Sequence, residues 1–305
     1  MFDLYLKDGT QKNPTQTFKD RGMSVAVSMA RRLGLRKLAV PTAGNAGGAL
    51  ALYAAAAGMQ VYICMPEETP AGNKHECLAI GGVEVEMVPG TIAEAGKRVA
   101  EKVESERYFS VATLKEPGWR VEGKKTMGLE LAEQFHWTLP EVIVYPTGGG
   151  TGIVGMWKAF KELAELGMLR SDMPKMVAVQ AHACAPIYEA YKSHAADTTL
   201  VCEPGRTVAS GLRVPAGVGH FLVLRATYES AGAAITVSEE AIKRALNELM
   251  KGYGLFPAPE GAATFAALDL LVEREIIPPG HRVLLFNTGS GRKYFNELRN
   301  LFSTR

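Results

Sequence analysis

Short apolar runs alternate with longer helical runs along almost the whole chain. The short runs predict strands, which are LYLK, KLAVPT, VYICMP, VEVEMV, YFSVA, EVIVYPT, MVAVQA and RVLLFNT. The longer runs have the period of a helix, and in TIAEAGKRVAEKVESE the residues Ile92, Val99 and Val103 share one side. Regular alternation of apolar strands with helices predicts an α/β fold with parallel sheets covered on both faces.

The ends of several predicted helices coincide with capping residues. The helix FKDRGMSVAVSMARRLG is closed by Gly34, and the helix NAGGALALYAAAAG begins near Asn45 and ends near Gly58. Ser238 is the predicted N-cap of SEEAIKRALNELMKGYG. Further helices are predicted near 120–135 and in GIVGMWKAFKELAELG, PEGAATFAALDLLVERE and GRKYFNELRNLF. The stretch 194–230, rich in Gly, Pro and polar residues, shows no clear period.

The length of 305 residues is more than one hydrophobic core comfortably organises. We therefore expect two lobes, each with a mostly parallel, doubly wound sheet. The predicted smaller lobe is 20–118, and the larger lobe combines 1–19 with 119–305.

Composition excludes several classes of protein. The net charge of +2 does not favour nucleic acid or an anionic membrane as a partner. The longest apolar run, near residues 48–59, is shorter than the roughly 20 residues that span a bilayer. The N-terminus lacks a signal pattern, so we expect a cytoplasmic, soluble protein. Cys64, Cys77, Cys184 and Cys202 form no CxxC pair, which favours buried thiols over a metal or redox site.

The loop PTGGGTG, residues 146–152, is the strongest candidate site. It lies between a predicted strand and a predicted helix, where consecutive backbone N–H groups and the helix dipole attract an anion, most naturally a phosphate. Gly150, Gly152 and Gly155 also fit a dinucleotide fingerprint, but the next strand ends in Gln180 rather than an acid. We therefore prefer a single phosphate to a dinucleotide.

Three other loops contain residues that can be interpreted together with this glycine loop. Lys19, in NPTQTFKDRG, lies where a loop becomes a helix; there the helix dipole and partial burial would lower its pKa and favour a reactive amine. Asn45, in PTAGNAGG, offers an amide at a helix start, and Thr288, in NTGSG, ends an apolar strand. Taken singly, each has a plain structural reading: a surface lysine, a helix cap and a strand-ending threonine. Pyridoxal phosphate explains all four loops together, because it needs an amine, a phosphate cradle and polar partners for its ring.

The order of these loops resembles the fold-type II pyridoxal-phosphate enzymes, the group of the tryptophan synthase β-subunit. Within that group the threonine synthase family is the most similar, over nearly the whole chain, through the segments NPTQTFKDRG, EPGWRVEGKKTMGLE, YPTGGGTGIVGMWKAF and FNTGSGRKY. Serine and threonine dehydratases usually have Leu at the position of Asp20. The family usually has Gly at the position of Gln16, often Ser at Thr17, and an additional segment upstream of the lysine loop.

The resemblance implies a role for each matching residue. Lys19 carries the cofactor as a Schiff base and moves protons, and Asn45 hydrogen-bonds the pyridine oxygen. Thr288 faces the pyridine nitrogen, and the phosphate is held by Gly148, Gly149, Gly150 and Thr151. The remaining residues serve the substrate, and these are Arg120 and Lys74 for its phosphate, Thr42 for its carboxylate and Glu260 for orientation. Solvated helix faces for Arg120 and Lys74, and a helix-capping role for Glu260, remain the structural alternatives.

The implied activity is conversion of O-phospho-L-homoserine and water to L-threonine and phosphate by a homodimer. The larger lobe would bind the cofactor, and the smaller one would lie on the substrate side. Alternatives on the same fold are a cysteate synthase, a threonine or serine dehydratase and a diaminopropionate ammonia-lyase. A non-catalytic protein that retains the fold and binds only a ligand or partner is the alternative from another functional class.

Overall fold

A computed structural model of the chain describes residues 2–199 and 203–302. These residues form two compact units. The first contains the described residues up to Gly9 together with Lys124–Gly291, and the second contains Thr10–Gly123 together with the described residues from Arg292 onward. The prediction placed three segments of the second unit in the larger lobe instead, namely residues 10–19, residues 119–123 and the described residues from Arg292 onward.

Nine strands lie within the described ranges. In chain order they are β1 Asp3–Asp8, β2 Lys37–Pro41, β3 Gln60–Pro66, β4 Val83–Val88, β5 Phe109–Ser110, β6 Val142–Pro146, β7 Lys175–Ala181, β8 Ala233–Val237 and β9 Arg282–Asn287.

Twelve α-helices lie within the same residues. They are α1 Lys19–Arg32, α2 Asn45–Ala56, α3 Ala71–Leu78, α4 Ile92–Glu106, α5 Trp119–Gln134, α6 Thr151–Glu165, α7 Pro186–Lys192, α8 His220–Glu229, α9 Glu239–Tyr253, α10 Pro259–Ala266, α11 Leu268–Glu273 and α12 Phe295–Phe302. Two short 3-10 turns occupy Ser210–Leu212 and Gly291–Tyr294.

The first unit is built on a five-stranded sheet with the order β1-β9-β6-β7-β8, in which every neighbouring pair is parallel. The strands β6 and β9 are buried almost along their full length, as expected for a sheet covered by helices. The carboxyl ends of β6 and β9 lie side by side, since Val142 pairs with Val283 and Val144 with Leu285. The loops that follow these two strands therefore start at the same edge of the sheet.

The second unit contains a four-stranded parallel sheet with the order β4-β3-β2-β5. Its main core packs α1 and α2 against one face through fully buried residues such as Met23, Leu38, Leu50 and Ile63. The opposite face is covered by α4, whose Val99 is buried as the sequence pattern predicted. The two parallel sheets confirm the predicted α/β class.

Helix ends agree with their capping residues in several places. Gly34 and Gly58 follow α1 and α2 with φ of 74° and 67°, the left-handed geometry that closes a helix. Ser238 caps α9, since its side chain accepts a hydrogen bond from the N–H of Ala241. The hydroxyl of Thr91 forms a capping box with Glu94 at the start of α4.

Other elements differ from the sequence-based expectation. The run PEGAATFAALDLLVERE is not one helix, because α10 ends at Ala266 and α11 begins at Leu268. The final helix starts as a 3-10 turn, and the predicted strand YFSVA reduces to Phe109–Ser110. The helices α3 and α7 and the strand β8 were not predicted, since they are short and lack a clear period. The stretch 194–230 contains α8.

None of the described helices is both long and apolar enough to cross a membrane. Among the described cysteines, Cys64, Cys77 and Cys184 are free and buried, as predicted. Cys202 lies outside the described residues.

Candidate active site

The glycine loop joins β6 to α6 in the first unit. Its backbone needs glycine, because Gly150 has a φ of 80° and caps the helix without any side-chain hydrogen bond. A Cβ on Gly148 would collide with the carbonyl oxygen of Gly211, and a Cβ on Gly150 would collide with Val223. The start of α6 thus presents backbone N–H groups with no side chain capping them, which suits an anion.

His220, the first residue of α8, contacts the backbone of this loop. Its side chain is fully buried, its Nε2 lies 3.0 Å from the carbonyl oxygen of Gly148, and its Nδ1 lies 3.0 Å from the hydroxyl of Thr198. Burial lowers the pKa of His220 below its ordinary value, although the contact with Gly148 and the charge of Asp197 partly oppose the shift. Sequence reasoning missed His220, because it lies in the stretch without a clear period.

Thr288 follows β9, at the same edge of the sheet as the glycine loop. Its side chain is buried, and the loop after it is tied to the segment before α10. The N–H of Ala258 donates to the carbonyl of Gly289 at 2.8 Å, and Ser290 forms an antiparallel bridge with Pro257. The loop that carries Thr288 is therefore held by backbone contacts to the segment before α10.

Glu260 lies in the first turn of α10 and is 6% exposed. Its Oε1 accepts a hydrogen bond of 2.7 Å from the N–H of Gly211, the residue whose carbonyl oxygen approaches Gly148. Since α10 has no side-chain cap of its own, Glu260 supports the segment beside the glycine loop rather than its own helix.

Lys19 begins α1 in the second unit. Its N–H donates to the hydroxyl of Thr17 at 3.3 Å, and its Nζ lies 4.4 Å from the centre of the Phe18 ring. The lysine is half-buried, while the adjacent Asp20 is fully buried and accepts two hydrogen bonds from Thr15. The loop before α1 is therefore anchored next to the amine.

The loop between β2 and α2 carries Thr42 and Asn45. The hydroxyl of Thr42 accepts a hydrogen bond of 2.9 Å from the N–H of Gly44, and Nδ2 of Asn45 donates to the hydroxyl of Tyr294 at 3.1 Å. The Oδ1 atom of Asn45 is buried without a hydrogen-bond partner among the described residues. The buried amide of Asn73 packs on Gly44 and likewise has no partner there; sequence reasoning did not select Asn73.

Arg120 lies in the first turn of α5, and its side chain is 3% exposed. Its Nη1 donates to the carbonyl of Val111 at 3.0 Å, whereas its Nε has no hydrogen-bond partner among the described residues. Burial lowers the pKa of Arg120 to about 10, a shift that the nearby Glu116 partly opposes. Arg120 is therefore no solvated surface residue, and a buried cation with an open donor suits an anionic ligand.

Lys74 differs from Arg120 in its surroundings. It is only partly buried in α3, and its Nζ donates to the carbonyl of Glu67 at 2.5 Å. Another lysine, Lys124 in α5, is fully buried. It lies within the segment EGKKT, but the sequence analysis did not select it.

The chemical groups that the two units carry fit pyridoxal phosphate. Of the residues predicted from the sequence, the glycine loop, Thr288 and Glu260 lie in the first unit, and Lys19, Thr42, Asn45, Lys74 and Arg120 lie in the second. An amine for an aldehyde, bare backbone N–H groups for a phosphate and a neutral hydroxyl for a ring nitrogen are the donors that this cofactor needs. Among the described residues, no cluster of three or more His, Cys, Asp or Glu side chains could hold a metal ion.

Comparison with known proteins gives the same result. A model described as pyridoxal-phosphate dependent enzyme matches residues 2–289. The threonine synthase of Methanocaldococcus jannaschii is 32% identical over 95% of this chain and 71% of its own length, and that of Methanosarcina acetivorans is 35% identical over 94% and 69%. The solved structure of the threonine deaminase from T.th. has a TM-score of 0.76 at 26% identity, over 95% of this chain and 87% of that one. This chain therefore belongs to the family of pyridoxal-phosphate dependent enzymes, and pyridoxal phosphate is its cofactor.

Proposed function

We propose that this protein is a threonine synthase that converts O-phospho-L-homoserine and water to L-threonine and phosphate. The observation that carries the proposal is the similarity of 32% and 35%, over more than nine-tenths of the chain, to two relatives of that name. In chemical terms the protein is a carbon–oxygen lyase that acts on a phosphate ester.

The residues divide between cofactor and substrate. Lys19 forms the covalent link to the cofactor aldehyde, Asn45 contacts the ring oxygen and Thr288 the ring nitrogen. The cofactor phosphate is bound by the backbone of residues 148–151. The neutral hydroxyl of Thr288 cannot keep the ring nitrogen protonated as a carboxylate would. Catalysis then depends more heavily on a well-placed base.

The substrate phosphate is assigned to Arg120, with Lys74 as a second cation. The buried guanidinium supports this, because its Nε lacks a hydrogen-bond partner among the described residues and an uncompensated buried charge is costly. A phosphate oxygen would accept the open N–H and offset the burial of the charge. Thr42 is assigned to the substrate carboxylate.

The proton transfers fall to one residue. When bound, the cofactor delocalises the negative charge that develops on the substrate. The amine of Lys19 takes the proton from Cα and later a proton from Cβ, and it returns one to Cγ, which becomes the methyl carbon, and one to Cα. Phosphate leaves from Cγ toward Arg120 and Lys74, the hydroxyl of water adds at Cβ, and the remaining proton of the water goes to the phosphate. Glu260 keeps the segment at Gly211 in place beside the glycine loop during these steps.

A threonine or serine dehydratase is the second candidate, favoured by the likeness to a threonine deaminase at 26% identity. The two reactions give different products. We expect the purified protein, loaded with pyridoxal phosphate, to release phosphate from O-phospho-L-homoserine and to form threonine in equal amount. Formation of ammonia and a keto acid from threonine, with no phosphate release from the ester, would reject the first proposal in favour of the second.

Arg120→Met and Arg120→Lys give a sharper version of this test. Methionine fills a similar volume without a charge, so the fold should survive the loss of a buried cation. We expect Arg120→Met to lower kcat/KM for the phosphate ester by about 100-fold, the loss of a charge-assisted contact, with Arg120→Lys in between. Binding of L-threonine, which has no phosphate, should be unchanged in both variants, and equal weakening of both ligands would contradict the role.

A homodimer in the cytoplasm belongs to the same proposal, since homodimers are usual in the family that the sequence resembles. Sedimentation velocity of the full chain tests the dimer directly. A monomer that retains full activity would remove this part of the proposal and leave the reaction untouched.

A further inference from the structure

The carbonyl of Gly148 is held on the side of the glycine loop that faces α8. The Nε2 atom of His220 lies 3.0 Å from this oxygen, although the two residues are 72 positions apart in the chain. In a trans peptide the C=O of one residue and the N–H of the next point in opposite directions. The contact with His220 therefore directs the N–H of Gly149 away from α8. A Cβ built on Gly149 would meet no atom beyond its two chain neighbours within 4 Å, so open space adjoins this residue.

The neutral imidazole can make this contact in only one tautomer. A carbonyl oxygen only accepts, so Nε2 must carry the hydrogen, and Nδ1 of the neutral ring then accepts from the hydroxyl of Thr198 at 3.0 Å. A Cβ on Gly217 would collide with Nε2, so the backbone packs closely on the ring. Two hydrogen bonds, from Nε2 to Gly148 and from Thr198 to Nδ1, thus hold the fully buried neutral ring in one tautomer.

We propose that His220 is a positioning residue for the cofactor phosphate, acting through the Gly148–Gly149 peptide. The imidazole N–H holds the carbonyl of Gly148, and the N–H of Gly149 is thereby presented to the phosphate before the cofactor arrives. The inference rests on the proposed role of residues 148–151 as the phosphate site. It requires neither the threonine synthase reaction nor any particular substrate.

The test compares pyridoxal phosphate with pyridoxal, which lacks the phosphate. His220→Leu removes the donor, and His220→Gln offers an amide N–H at the position of Nε2. The full-length variants are stripped of cofactor and titrated with each compound, with absorbance and fluorescence as readouts. We expect His220→Leu to weaken pyridoxal phosphate by about 10- to 100-fold, the equivalent of one hydrogen bond to a charged group. Its affinity for pyridoxal should not change.

Rescue and a control complete the design. His220→Gln should recover most of the lost affinity, because its amide can donate to the carbonyl of Gly148. His182→Leu is the matched control, since His182 is exposed directly after β7 in the same unit, and it should bind both compounds like the unaltered protein. Should His220→Leu not fold, His220→Asn replaces it, because its shorter amide leaves the Gly148 carbonyl without a donor.

Three results would overturn the inference. Equal weakening of pyridoxal and pyridoxal phosphate would show that His220 only supports the fold, and unchanged affinity for both would show that it has no role. Failure of His220→Gln to recover affinity would show that the hydrogen bond is not responsible. Selective loss with rescue in a protein that makes no threonine would leave this inference standing and reject the proposed reaction alone.

Discussion

The carboxylate of Asp20 accepts two hydrogen bonds from Thr15, one of 2.8 Å from its N–H and one of 2.7 Å from its hydroxyl. Both residues are buried, and Lys19 lies directly before Asp20 at the start of α1. The acid thus closes the loop 15–20 on itself and fixes the backbone from which the lysine projects. This clamp gives the acid beside Lys19 a structural role in the loop.

Asp20→Leu should therefore loosen the lysine loop. The substitution fits the buried position in size but leaves the N–H of Thr15 without its acceptor. We expect the free energy of unfolding to fall by about 2 kcal/mol, measured by urea denaturation. Faster amide exchange in residues 13–17 should accompany the loss.

Asp20→Asn is the control for this prediction, because its amide oxygen retains one of the two acceptors. Its effect should be about half as large. Unaltered stability in Asp20→Leu would show that the clamp contributes nothing.

Lys19→Ala should remove the covalent link to the cofactor. We expect loss of the visible absorbance band of the linked cofactor and a fall in turnover of about 10³-fold or more, since this residue is also the proposed base. Lys12→Ala, on the exposed side of the same segment, is the matched control. An unchanged band in Lys19→Ala, with cofactor bound, would place the link on another lysine.

Acid should destabilise the protein through His220. Its pKa is lowered in the folded state, chiefly by burial, so between the folded and the ordinary pKa the unfolded chain binds more protons. Stability therefore rises with pH in this window and is lost as the pH falls below about 6.5, the ordinary value.

The measurement is Tm between pH 7.5 and 5.5 for the unaltered protein and for His220→Gln. The unaltered protein should lose more on acidification, because glutamine does not titrate. Parallel curves would mean that His220 titrates alike in both states.

The described cysteines should resist modification in the folded protein. Burial raises the pKa of Cys77 to about 12 and that of Cys184 to about 11, and it also raises the pKa of Cys64. Almost no thiolate is present at pH 8, and the thiolate is the reactive form. Alkylation followed by peptide mapping should leave all three unmodified until denaturant is added, and rapid native labelling of any of them would contradict this.

Local patterns predicted most of the fold. Gly34, Gly58 and Ser238 end or begin helices as expected, because capping depends on a few neighbouring residues. The parallel sheets followed from alternating apolar strands and helices. The break at Ala267 between α10 and α11 was missed, because an uninterrupted apolar period continues through LDLL and contains no Gly or Pro to mark it.

The sequence also marked some residues of the candidate site, whereas the surroundings of others depended on packing. Glycine content and a position between a predicted strand and a predicted helix marked the loop 146–152, and the residue types at Lys19, Asn45 and Thr288 suggested one cofactor. Whether Arg120 is buried or solvated was open in the sequence, and only packing decided that it is buried. The sequence left the burial of Lys74 equally open. In the structure Lys74 is partly exposed and donates to a backbone carbonyl.

The sequence by itself determined the α/β class and the positions of most helices and strands, and it marked the loops that we propose for the cofactor. These features depend on periodicity and on glycine, which act over a few residues. Only the tertiary structure decided that His220 holds Gly148 and that Glu260 holds Gly211. These contacts join residues 72 and 49 positions apart, and a partner at such distance is selected by the packing of the sheet rather than by any local pattern.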